Sequence, residues 1–81
     1  MKTVLKLFAK ARGLAGTAEL ELDLPAGMTA AELRVALGER LPALRPLVPS
    51  LLVAVGNDYA GPDTLVAGRH DLAVFPPVSG G

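Results

Sequence analysis

Residues 18–41, AELELDLPAGMTAAELRVALGERL, contain the change of period on which the fold turns. Ala18, Leu20, Leu22 and Leu24 alternate with Glu19, Glu21 and Asp23, which is the period of a strand with one apolar and one acidic face. Pro25-Ala26-Gly27 ends that strand, and the next signal belongs to a helix. Thr29 and Glu32 have the spacing of a capping box, in which hydroxyl and carboxylate each accept a bond from an otherwise orphaned backbone N–H. Met28, just before the cap, is placed to staple onto Leu33. Leu33, Leu37 and Leu41 then recur every fourth residue with Ala30 and Ala36 beside them, and Pro42 stops the helix near Leu41. Gly38 in its interior costs about 1 kcal/mol relative to Ala, so this helix depends on packing.

Upstream, residues 3–8 alternate as a strand, with Leu5 and Leu7 on one face and Val4, Lys6 and Phe8 on the other. Paired antiparallel with 18–24, this strand sets Lys2 and Lys6 against the acidic row, each cross-strand pair contributing about 0.2–1 kcal/mol. Lys10–Gly16, broken by Gly13 and Gly16, reads as a turn with at most one helical turn. Downstream, residues 42–50 form a connection punctuated by Pro42, Pro46 and Pro49, with room for one short turn. Residues 52–55 read as a strand, with Val53 and Val55 on one face and Leu52 and Ala54 on the other. Gly56-Asn57-Asp58 and Gly61-Pro62-Asp63 are turns around a very short strand near Tyr59. Residues 71–75 form a last strand, with Leu72 and Val74 opposed to Asp71, Ala73 and Phe75. Two strands, one well-capped helix and returning strands predict an α+β roll, a mixed sheet of four to five strands over one main helix. The domain is expected over 1–75, with an extended, flexible tail over 76–81.

The composition agrees with one small domain. The chain has 81 residues, 51% of them apolar, and no Cys, so neither disulfides nor a thiolate metal site can support it. Eight basic residues balance eight acidic ones, and no basic tract is present of the kind that neutralises nucleic acid or anionic lipid. The longest apolar run is Leu51–Val55, against the roughly 20 residues needed to span a bilayer. No nucleic acid, no membrane and a cytoplasmic location are expected.

Catalytic inventory is thin. His70 is the only histidine and is expected to be a solvated loop residue. Glu19, Glu21 and Asp23 read as a solvated strand face, and Gly13-Leu14-Ala15-Gly16 lacks the Lys and Ser/Thr of a phosphate loop. No metal site is expected. The exception is the end of the sequence, Phe75-Pro76-Pro77-Val78-Ser79-Gly80-Gly81. Two prolines have no N–H and fixed φ, so they terminate the strand in extended form. Gly80 and Gly81 carry no Cβ to clash inside a narrow channel of another protein. A terminal carboxylate becomes an acyl donor once ATP adenylates it, and sulfide or another thiol can then displace AMP.

The tail resembles the signature of the small subunits of molybdopterin synthase, a family of ubiquitin-like sulfur carriers with a β-grasp fold. Leu7-Phe8-Ala9 followed by Arg12 and Gly16, and Val55-Gly56-Asn57, are similar to further patterns of that family. Arg69-His70-Asp71 departs from it, with Gly68 followed by Arg69 where the family has an acidic pair. The resemblance implies a β-grasp roll that is no enzyme alone and binds no cofactor. It implies that a partner enzyme of the ubiquitin-activating kind uses ATP to adenylate Gly81, with Gly80 keeping the approach open. A thiocarboxylate follows, and its sulfur passes to precursor Z in the large synthase subunit, the two subunits forming a heterotetramer. Related carriers for thiamine, tRNA thiolation or cysteine synthesis, and ubiquitin-like modifiers, are the alternatives. The outer sheet face, led by Phe8, Leu52 and Phe75 and continued by Pro76, Pro77, Val78 and Ser79, is the expected partner-binding surface.

Overall fold

The computed structural model describes residues 1–77. Within them the elements run β1 (Lys2–Leu7), α1 (Ala9–Ala15), β2 (Glu19–Asp23), α2 (Ala30–Arg40), a 3₁₀ segment (Pro42–Ser50), β3 (Leu52–Val55), β4 (Asp58–Tyr59) and β5 (Leu72–Phe75). Among the described residues the strands form one sheet in the order β2-β1-β5-β3-β4. Only β1 and β5 are parallel, and the other neighbours are antiparallel. The mixed α+β roll predicted from the sequence is the architecture found.

The alternation of each strand decides which face is buried. Leu5 and Leu7 of β1, Val53 of β3, and Leu72 and Val74 of β5 turn inward to the core they share with Leu33 and Leu37 of α2, and Thr3 is buried on the same row of β1. Thr3 is the one polar member of this interior. Its hydroxyl donates to the Met1 carbonyl at 3.1 Å and accepts from the Gly68 N–H at 2.8 Å, so its burial leaves no orphaned atom. In β1 and β2 the register sets Lys2 opposite Asp23 and Lys6 opposite Glu19. The ion pair that closes is diagonal, Lys2 Nζ to Glu21 at 3.3 Å. α2 starts as its sequence predicts: Glu32 N–H donates to the Thr29 hydroxyl at 3.3 Å, and Thr29 N–H donates to the Glu32 carboxylate at 3.0 Å.

Two connections are more ordered than expected. The turn over Lys10–Gly16 is a seven-residue helix, α1, whose single fully buried residue is Ala11. It closes on Gly16, at φ 76°, whose N–H donates to the Arg12 carbonyl. Residues 42–50 wind as a nine-residue 3₁₀ helix that buries Leu44. Each proline of that segment lacks the donor a longer α-helix would need, and the tighter winding keeps the chain against α2. The Arg45 side chain donates to the Gly38 carbonyl at 3.2 Å across that contact. The strand expected over 3–8 ends at Leu7, with Phe8 in extended conformation at the start of α1.

Candidate functional site: the outer sheet face and the strand that leads to the tail

β5 delivers the tail, and its neighbours define what surrounds the exit. Phe75 pairs with Leu52 across β5 and β3, so both side chains share the face turned away from α2. Leu7 pairs with Val74, and the Phe8 N–H donates to the Val74 carbonyl at 3.1 Å, which holds Phe8 beside the end of β5. Phe8 is 46% exposed, while Leu52, Phe75 and Pro76 are half-buried and Pro77 is exposed. The predicted residues Phe8, Leu52 and Phe75 are thus gathered on one surface. Val78, Ser79, Gly80 and Gly81 lie outside the described residues.

Sequence reasoning missed Tyr59. It is 73% exposed, and its ring stands 6.0 Å from that of Phe75 at an interplanar angle of 51°, covering part of it. The signal was available: Gly56, at φ 60°, makes the tight β3–β4 turn, and in that hairpin Tyr59 falls opposite Ala54, an outward position.

Next to this surface the loop before β5 is held by its own charges. Arg69 donates twice to Asp71, at 2.8 and 2.7 Å, and this pairing holds the Asp71 carboxyl below its usual range. The Asp71 carbonyl accepts from the Gly56 N–H at 3.0 Å, tying the loop to the β3–β4 turn. His70 is exposed, with Nε2 3.3 Å from the Lys2 carbonyl. Among the described residues no three His, Cys, Asp or Glu side chains gather in a way that would hold a metal. None of the described helices is long and apolar enough to cross a membrane. A hollow of about 440 Å³ along α2 is lined by Met28, Val35 and Glu39 among others, and its other carboxylate, Glu32, is engaged in the cap of that helix.

The match to the ThiS family extends over residues 5–81. The chain belongs to the ThiS family. Among ThiS-related sequences it is 35% identical over 75 residues to the molybdopterin synthase sulfur carrier subunit of Arabidopsis thaliana, covering 93% of this chain and 78% of that one. It is 37% identical to the subunit of the same name from Caenorhabditis briggsae, covering 91% of this chain and 90% of that one. The crystal structure of the small archaeal modifier protein SAMP1 from Haloferax volcanii superposes with a TM-score of 0.81 at 28% identity, covering 100% of both chains. The β-grasp fold implied by the tail is therefore shared with solved structures.

Proposed function

We propose that this ThiS-family chain is the sulfur carrier subunit of a molybdopterin synthase, cytoplasmic and non-catalytic alone. The observation that carries the reading is the name shared by its sequence relatives, at 35–37% identity over more than nine-tenths of this chain. The Pro-Pro-Val-Ser-Gly-Gly ending supports it. A Gly81 carboxylate oxygen attacks the α-phosphorus of ATP in an adenylating partner, and pyrophosphate leaves. Hydrosulfide-level sulfur then attacks the acyl carbon, AMP leaves, and a thiocarboxylate remains on Gly81. In the large subunit that sulfur passes to precursor Z, and Gly80 keeps the channel approach free of a side chain. The carrier holds no cofactor of its own; ATP belongs to the partner's site. Phe8, Leu52, Phe75, Pro76 and Pro77, continued by Val78 and Ser79, form the docking surface, and two carriers with two large subunits make the heterotetramer.

The likeness to a small archaeal modifier favours one second reading, a modifier joined through Gly81 to lysines. A single measurement separates the two. The chain is incubated with ATP and an extract of its own cells, and its intact mass is taken. Exchange of one oxygen for one sulfur at the terminus is expected; higher-mass conjugates support the modifier, and an unchanged mass rejects both. Removing Gly81 is expected to abolish the exchange at unaltered thermal stability, and exchange retained without it overturns the mechanism.

A further inference from the structure

Between its aromatic residues the outer face is recessed. Ala73 and Ala54 are paired in register at its centre, and the same row continues to Lys6 on β1 and Tyr59 on β4. Over the Ala73 side of this row one hollow of about 380 Å³ is lined by Lys6, Phe8 and Ala73, with Asn57, His70 and Asp71 along its polar side. A second, of about 210 Å³, is lined by Ala54, Asn57, Tyr59 and Phe75 among others. The two alanine methyl groups, with Phe8 beyond one of them and Tyr59 and Phe75 beside the other, are complementary to a large projecting apolar side chain, the form that anchors of protein interfaces take.

The charges around the floor are unequal. Asp71 lines the same hollow as Lys6, but both its oxygens are engaged by Arg69, and Lys2 is paired with Glu21. Asp58 borders the recess only at the opposite edge strand, β4. Lys6 stands on the rim facing outward, and among the described residues no acid lies within ion-pair distance of it, its cross-strand neighbour Glu19 included. A cation without an ion-pair partner at the rim of the recess selects a partner surface that brings its own carboxylate.

We propose that the protein receiving the tail seats one large apolar side chain on Ala54 and Ala73 and places a carboxylate on Lys6. The pairing rests on the carrier reading above, and it identifies which feature of the partner is recognised. The affinity of the large synthase subunit is measured by calorimetry at low and high salt for the natural chain and for Lys6→Met, Lys6→Glu and Ala73→Leu, with thermal unfolding of each. Lys6→Met is expected to weaken binding about two- to fivefold and to flatten its salt dependence, as for an exposed ion pair. Lys6→Glu, which sets like charges together, is expected to weaken it more than about tenfold. Ala73→Leu fills the floor and is expected to weaken it to a similar degree; Ala54→Leu repeats the test from β3 should that variant unfold. Undiminished binding by Lys6→Glu, or by a folded floor-filling variant, overturns the pairing while a natural chain that binds and gains sulfur retains the carrier reading. A natural chain that neither gains sulfur nor binds removes the carrier reading and the pairing together.

Discussion

A methyl group added at Gly38 would place its carbon 2.9 Å from Val48 Cγ2 and 3.5 Å from Arg45 Cγ. Overpacking of that kind costs about 1–3 kcal/mol, and the gain in helix propensity returns about 1 kcal/mol. Gly38→Ala is therefore expected to lower the stability by about 1 kcal/mol in urea unfolding, and a more stable variant would show that the 3₁₀ segment yields freely. The sequence marked Gly38 as a cost to α2; the closeness of Val48, ten positions on, is the reason the cost is borne. Charge has a residue-scale consequence too. Two hydrogen bonds from Arg69 hold the Asp71 carboxyl low, and a hydrogen bond from the Met1 ammonium does the same for Asp23. A carboxyl with a depressed folded-state value adds stability above the unfolded-chain value, near 3.9, and loses it as pH falls through the lower folded value. The unfolding midpoint is thus expected to begin its acid fall only below about pH 4 from these groups. Asp71→Asn should shallow that fall; an unchanged acid limb in the variant would contradict the assignment. Both carboxylates are exposed, so the effect is small.

Among the elements, α2 was the most legible because its start is written in neighbouring residues. Thr29 and Glu32 satisfy each other's backbone donors within one turn, and no distant group is needed. Thr29→Ala is expected to cost about 1 kcal/mol by thermal or urea unfolding, and a loss near zero would mean that the capping box is bypassed. α1 was not legible, since Gly13 interrupts it and Ala11 is its single fully buried residue. Helices that short are marginal in water, and α1 forms because the end of β5 and the 3₁₀ segment pack against it. The 3₁₀ segment was hidden by its prolines, which read as loop. Leu44, in its first turn, is wholly buried. Leu44→Ala is expected to cost about 2–5 kcal/mol, as for a core leucine and unlike a loop residue; a loss below about 1 kcal/mol would place this segment outside the core.

At the scale of the whole molecule, the two faces of the sheet differ in what lies over them. The inner one is covered by α2 and the 3₁₀ segment, whereas the outer one carries Phe8, Phe75 and Tyr59 with no described element over it. Phe8→Ala combined with Phe75→Ala is expected to abolish measurable docking to the large subunit while unfolding remains a single cooperative transition. Full-strength docking by the folded double variant would remove this face from the interface. Strand periods, the capping box and the proline stops are chemistry between residues a few positions apart, so the residues alone dictated the strands, α2, the inward and outward rows and the composition of the tail. How α1 forms around its single buried residue against the end of β5, and how Tyr59 comes to lie against Phe75 beside Ala54 and Ala73, depend on strands distant in sequence. Those contacts exist only once the β1–β5 crossover and the β3–β4 hairpin bring them into register, because side-chain neighbours across a sheet are set by pairing and not by chain order.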